Sequence, residues 1–365
     1  RRNQFEAIKN VSKVNKLMKK KFQIAVLPGD GIGPEVISAA LKVLDVLSDS
    51  FDFDVIKKIA VIGEEGMRLF HKPLPDETIE ICRSCDSILF GAVKQYGILE
   101  IRKEFDLFAN IRPIISFPRQ KNGLDIIIVS ELCGGLYFGP SGRSSDAQGR
   151  YGYHTMKYYD HEIARIAIIA LQYAASRSGI LTVAHKENAL PNIPWMDIVK
   201  KEALKFPEIK VISMYVDNLA YQIVHDASEF DVILAENLMG DILSDIGGAL
   251  AGSLGMLGSS SKNENGFGLY EPVHGTAPDI EGKNLANPIG MFMAVSMMLA
   301  DWNMDGVSSA LTNSIDKVMT GKQLNSNLYS ASSGGIIGTT QFTDLVIEEI
   351  KISVKKSVVI NDEYK

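Results

Sequence analysis

Apolar residues along this chain fall into two alternating rhythms. Short apolar runs, bounded by Gly, Pro or charged clusters, predict buried strands at Phe22–Leu27, Phe53–Ile62, Ser87–Phe90, Ile126–Val129, Leu181–Ala184, Val211–Val216 and Asp231–Ala235. Between these runs the apolar positions return at helical spacing. That spacing predicts helices from Pro34 to about Leu47, within Asp76–Arg83, across Ile98–Leu107, over His161–Ser176 and from Glu236 onward. Most of Ile289–Ile350 also reads as helical, with a Gly-rich break at Ser332–Gly338. Alternation of this kind predicts an α/β fold around a large sheet. One stretch fits neither rhythm. Gly268–Ile280 is too rich in Gly and Pro for a helix or a central strand, and reads as a long loop of the kind that carries function.

Polar groups gather at the carboxyl ends of the predicted strands, where α/β sheets place ligands. Leu181–Ala184 delivers Lys186, Val211–Val216 delivers Asp217, and Asp231–Ala235 leads into Asp241 and Asp245. Four residues apart on a helix, Asp241 and Asp245 point the same way, an unfavourable pairing unless a cation lies between them. Carboxylate oxygens without His or Cys favour Mg²⁺ or Mn²⁺ over zinc. Arg102, in the Ile98–Leu107 segment, and Arg112, in its exit loop, suit substrate carboxylates, because guanidinium forks bind them bidentately. A lysine beside a carboxylate-held cation can serve as a base. Tyr137, in the Gly-rich segment after Ser130, adds a second proton-bearing group. This set suits oxidation of a 2-hydroxy acid followed by loss of a β-carboxylate. Gly29, Gly31 and Gly33 suggest a dinucleotide loop, but the G-x-G-x-x-G spacing is absent. The segment reads as a tight strand-to-helix turn with Pro34 in the helix's first turn.

The 365 residues suffice for about two domains. A net charge of −6 gives no reason to expect nucleic-acid binding. No apolar run approaches the ~20 residues of a membrane span. Three cysteines argue for a reducing compartment. Cys82 and Cys85 form a C-x-x-C with no second pair or His cluster, which reads as chance spacing rather than a zinc or redox site. Cys133 reads as a small packed residue. Residues 1–20 form a basic N-terminal extension, either solvated or the remnant of an organellar targeting peptide. The expected location is the cytoplasm, or an organelle's matrix in the second case.

The motifs resemble those of the β-decarboxylating dehydrogenases, the isopropylmalate/isocitrate dehydrogenase-like family, with its isopropylmalate branch nearest. The resemblance covers roughly Ile24 to Gly338. Its marks are LPGDGIGPE at 27–35, LFANIRP at 107–113, GGLYFG at 134–139, MYVDN at 214–218, NLMGDILSD at 237–245 and HGTAPDI at 274–280. It implies two α/β domains sharing a large sheet, not a Rossmann fold. Residues 21–107 and 252–365 would form a discontinuous cofactor-side domain, and 108–251 a substrate, metal and dimerisation domain. It implies a homodimer with active sites shared between subunits. Asp241 and Asp245 would bind the metal together with Asp217 of the partner subunit. Lys186, also from the partner, would help deprotonate the substrate hydroxyl, and Tyr137 would protonate the enolate. Arg102 and Arg112 would hold carboxylates, with Ile98 and Leu99 as an apolar patch. Glu271, His274, Gly275, Thr276, Ala277, Pro278, Asp279, Ile280 and Asn287 would bind the cofactor, NAD rather than NADP because Asp279 suits ribose hydroxyls.

The chain departs from that family at four places. Ser130 stands where the family has an arginine for a substrate carboxylate, with Arg119 and Arg143 as candidate replacements. The segment between Pro113 and Leu124 is short by a helix. A Gly-Gly-Pro-Lys insertion after Val93 is missing, and Gln95 aligns with a glutamate. The resemblance implies NAD- and divalent-metal-dependent oxidative decarboxylation of 3-isopropylmalate to 4-methyl-2-oxopentanoate, a step of leucine biosynthesis. The alternatives are the same chemistry on another 3-substituted malate (isocitrate, homoisocitrate, tartrate, malate) or a non-catalytic subunit of such an enzyme.

Overall fold

The predicted alternation is realised as strands flanked by helices. The computed structural model describes residues 19–119, 123–325, 327–330 and 335–363. Nearly all of the basic extension and the first part of the Gly-rich break, 332–334, therefore lie outside the described residues. The strands are β1 (Lys20–Gly29), β2 (Phe53–Ile59), β3 (Ser87–Ala92), β4 (Ala109–Ile115), β5 (Asp125–Glu131), β6 (Ser141–Asp146), β7 (Gly149–His154), β8 (Ile180–His185), β9 (Lys210–Tyr215), β10 (Val232–Ala235), β11 (Gly258–Lys262), β12 (Gly268–Pro272), β13 (Tyr329–Ser330) and β14 (Gly335–Ile336). The helices are α1 (Gly33–Phe51), α2 (Glu64–Phe70), α3 (Asp76–Arg83), α4 (Ile98–Glu104), α5 (Asp160–Ala175), α6 (Trp195–Ala203), α7 (Val216–His225), α8 (Asn237–Ala251), α9 (Ile289–Asp301), α10 (Asp305–Gly321) and α11 (Thr339–Glu363).

Among the described residues, ten strands form one mixed sheet in the order β2-β1-β3-β12-β11-β4-β5-β10-β8-β9. The three ladders β12–β11, β11–β4 and β4–β5 are antiparallel and join two parallel halves. Strands covered on both faces read as unbroken apolar runs, and every residue of β3 and β10 is buried. One core cluster packs α1, α8, α9, α10 and α11 against the sheet, and a second packs α5 and α6 on the β5–β10–β8 part. Helix α9 is apolar on every side and buried almost throughout, as a helix inside a core must be.

Several expectations need correction. Gly268–Pro272 is not loop but β12, in the interior of the sheet. Its Gly and Pro sit at the two ends, with buried Leu269 and Tyr270 between them. Arg112 is not in an exit loop. It lies within β4, where Pro113 masked the strand pattern, and it is 8% exposed. The helix expected to reach Leu107 ends at Glu104, and Asp106 turns the chain at φ 46. Val216 opens α7 rather than closing a strand, so Asp217 stands in a helix's first turn. The Gly-rich part to Arg150, which reads from sequence as a loop or hairpin tip, is indeed an exposed two-stranded hairpin, β6–β7.

Candidate active site

The ends of β3 and β12, the middle of β4 and helix α4 enclose a cavity of about 180 Å³ that brings together Ile98, Arg102, Arg112, Glu271, His274 and Gly275. Leu99 does not line it and is 39% exposed. Both arginines are buried. Arg102 Nη2 lies 3.1 Å from Glu271 Oε1, and Arg112 Nη2 lies 2.9 Å from Asp241 Oδ1. The Nε of each is buried without a partner, a donor available to a bound carboxylate. Glu271, expected on the cofactor side, holds Arg102 in place. Larger cavities lie elsewhere. One of about 530 Å³, between α5 and the β11–β12 loop, contains none of the expected site residues. Another, of about 540 Å³, is lined by Asp30, Met67, Lys94 and Gln95.

Helix α8 begins where fully buried β10 runs out. Glu236 caps it, accepting from the backbone N–H groups of Leu238 and Met239 at 3.2 and 2.8 Å. One turn on, Asp241 is 31% exposed on its side chain. Burial weakens the acidity of Asp245, Arg112 opposes the shift, and the charge of Asp241 adds to it. Two hard carboxylates one turn apart, the second short of compensating charge, fit Mg²⁺ or Mn²⁺. Tyr137 stands near Asp241. Burial and that carboxylate push its hydroxyl up to about 12, so it remains a proton donor at neutral pH.

Ser130 pairs with Asn110, and Arg112 with Ile128, across β4–β5. Side chains two apart on a strand share a face, so Ser130 and Arg112 project together toward α8. A Cβ on Gly240 would lie 2.4 Å from Ser130 Cβ. Ser130 is therefore wedged beneath the residue before Asp241, with its Oγ buried and unpartnered. The proposed replacement cations are not there. Arg143 stands on the exposed hairpin opposite Gly152, and Arg119 lies over Phe117 with its backbone N–H on Asp316.

Lys186 and Asp217 meet each other at 2.8 Å, at the ends of β8 and β9. They do not join Asp241 and Asp245. Among the described residues no group of three His, Cys, Asp or Glu side chains could hold a metal ion. Cys82 and Cys85 are buried, and burial raises both thiols.

The 274–280 loop is fixed by the first glycine turn. Gly31 has φ +60, and a Cβ there would lie 2.2 Å from the Thr276 carbonyl oxygen, which accepts from Ile32 N–H at 2.9 Å. His274 Nδ1 contacts the Gly275 carbonyl at 2.8 Å, which leaves its Nε2 buried and unpartnered, and burial pushes the ring's pKa down. Asp279 is exposed; Lys283 reaches its carbonyl at 2.7 Å rather than its carboxylate. The Asn287 side-chain oxygen accepts from Ile289 N–H, tying this loop to α9. An exposed carboxylate and an orphaned ring nitrogen on one loop fit an adenosine with free ribose hydroxyls.

The sequence pattern missed Asp30, Glu131, Tyr158 and Glu236. Asp30 accepts from Glu64 and Lys94 backbone N–H groups at 2.9 and 3.0 Å. Fully buried Glu131 accepts from Cys133 and Gly134 N–H groups and meets Arg165, shaping the turn that carries Tyr137. A charged residue at the very end of an apolar strand, as at 131 and 236, was the available signal.

Residues 23–346 match the isocitrate/isopropylmalate dehydrogenase family. The chain is 40% identical to the 3-isopropylmalate dehydrogenase of Methylococcus capsulatus, over 90% of this chain and 99% of that one. It is 39% identical to the enzyme of the same name from Aquifex aeolicus, over 91% and 98%. Among solved structures it resembles the isocitrate dehydrogenase of Methylococcus capsulatus, with TM-score 0.83, 28% identity and coverage of 90% and 99%. It also resembles a beta-decarboxylating dehydrogenase from Thermococcus kodakarensis, with TM-score 0.76, 33% identity and coverage of 90% and 96%.

Proposed function

The chain belongs to the isocitrate/isopropylmalate dehydrogenase family, and we propose that it oxidises and decarboxylates 3-isopropylmalate to 4-methyl-2-oxopentanoate with NAD and Mg²⁺ or Mn²⁺, a step of leucine biosynthesis. The observation that carries this reading is the cavity in which Arg102 and Arg112 stand beside Asp241 and the cofactor loop. The names of the curated relatives point to the substrate.

A divalent cation, when bound, supplies charge that favours ionisation of the substrate hydroxyl and stabilises the enolate left by decarboxylation. NAD, when bound, accepts the hydride. The residues of the chain do the rest. Arg102 and Arg112 orient the carboxylates through their free Nε donors. Ile98 offers apolar surface for the isopropyl group. Lys186, as the neutral amine, takes the hydroxyl proton, and Asp217, 2.8 Å away, balances the ammonium that results. Tyr137, held protonated beside Asp241, gives a proton to the enolate carbon.

The separation of Lys186 and Asp217 from Asp241 supports a homodimer in which each pair completes the other subunit's site. Exposed apolar groups on α7 and α8, Tyr221, Val224 and Ile242, offer a surface for it. The sheet order supports two domains. Its first five strands come from residues 20–92 and 258–272, and its last five from 109–235.

Ser130 favours a second reading, the same chemistry on another 3-substituted malate, because one carboxylate contact of the family is missing. The test is formation of NADH from 3-isopropylmalate by the purified protein with Mn²⁺. Absence of turnover on any 3-substituted malate would refute both readings.

A further inference from the structure

We propose that Tyr158 is a positioning residue that sets the gap between the Tyr137 turn and the first turn of α8, and so the distance from the proton donor to Asp241. The inference rests on the roles given above to Tyr137 and Asp241. Tyr158 follows the β6–β7 hairpin and is 9% exposed. Its ring stands edge-on to Trp195 at 5.4 Å, which fixes its direction.

One side of Tyr158 meets the turn. A Cβ on Gly134 would lie 2.7 Å from its Cε1, and a Cβ on Gly135 would lie 2.3 Å from its hydroxyl oxygen. The backbone of the Gly134–Gly139 turn therefore rests directly on the phenol. Gly135 N–H also donates to the carbonyl of neighbouring Lys157 at 3.0 Å. The other side meets the helix. The hydroxyl donates to Glu236 Oε2 and accepts from Asn237 N–H, both at 3.1 Å. Asn237 closes the circuit, its side-chain amide donating to the Gly134 carbonyl at 3.1 Å.

Every group in this ring is buried, and none points into the substrate cavity. Tyr158 thus touches neither substrate nor cofactor. It is the spacer against which the two reacting elements are registered. Without its hydroxyl, Glu236 keeps both backbone donors, so the cap of α8 survives while the spacing relaxes. A displacement of about 1 Å at a reacting group costs on the order of 10²-fold in rate.

Tyr158→Phe and, from the opposite side of the contact, Gly135→Ala test this. Each variant carries 3-fluorotyrosine at position 137, and Mn²⁺ broadening of the fluorine signal reads the distance from Tyr137 to the bound cation without turnover. The expected result is a changed broadening in both variants, unchanged Mn²⁺ affinity, and kcat lower by about 10- to 100-fold with KM for 3-isopropylmalate little altered. Unchanged broadening in a folded Tyr158→Phe protein, or equal losses in stability and in every kinetic constant, overturns the positioning role. No Mn²⁺ broadening in the unmodified protein would instead overturn the assignment of Tyr137 and Asp241, and the inference with it.

Discussion

The guanidinium of Arg112 lies 2.9 Å from the carboxylate of Asp241. One residue thus serves two charges on the proposed reading, since a substrate carboxylate would be drawn to the same fork that already steadies Asp241. Asp245 meets no such contact, and burial together with the charge of Asp241 raises its pKa. A bound divalent cation would supply that compensation, as the proposed function requires. Asp245→Asn should lower Mn²⁺ affinity by at least about tenfold. It should leave the melting temperature in chelator nearly unchanged, because Asp245 is an exposed residue of the helix and surface substitutions usually change stability little. Calorimetric Mn²⁺ titration and thermal melts check both halves; full activity in chelator would contradict the metal requirement.

Lys186 and Asp217 form their own pair, apart from Asp241 and Asp245. If sites are shared between subunits, Lys186→Ala and Tyr137→Phe should each be inactive alone. Co-expressed, they should recover activity, because the mixed dimer contains one site with neither defect. About half of normal activity per mixed dimer is expected. Recovery of none, in a dimer shown by mass to be mixed, would place all these groups in a single subunit.

Asp279 presents an exposed carboxylate on the 274–280 loop, and Lys283 is spent on its carbonyl. A ribose 2′-phosphate would meet that charge without a matching cation. NAD should be preferred over NADP in kcat/KM, and Asp279→Asn should narrow the preference by about tenfold or more. A wild-type preference for NADP would refute the assignment of this loop.

Burial holds the Glu131 carboxyl up at about 7, above the ordinary 4.5. Folding favours its protonated form, so its stabilising contribution is complete below 4.5 and is lost as pH rises through about 7. The loss is on the order of 3 kcal/mol. Glu131→Gln cannot ionise and keeps an acceptor for the Gly134 N–H. Relative to the unmodified protein its melting temperature should therefore rise by a few degrees between about pH 5 and pH 8. A pH-independent difference would show that Glu131 is not the group titrating.

Much of this was legible in the chain, for physical reasons that differ by element. β3 and β10 were plain because burial on both faces selects unbroken apolar runs, and α5 because burial of one face selects apolar residues at helical spacing. β11 and β12 were not. A Cβ on Gly258 would lie 2.5 Å from Ala294 N, so β11 is small and serine-rich to let α9 approach, a demand set by tertiary contact and invisible in local pattern. Asp241 and Asp245 announced themselves by spacing alone. Tyr158 could not, because its hydroxyl finds Glu236 only 78 residues later in the chain. Arg112 was recognised for its chemistry but misplaced, since Pro113 hid the strand that buries it.

The reaction itself is tested most directly by the specificity constants of the purified protein for 3-isopropylmalate, isocitrate, homoisocitrate, tartrate and malate, with NAD and Mn²⁺. NADH and carbon dioxide should appear in equal amounts from 3-isopropylmalate, with kcat/KM at least about tenfold above every other acid, the margin an apolar pocket gives for a missing alkyl group. A higher kcat/KM for one of the other acids, or NADH formed without carbon dioxide, would contradict the assignment.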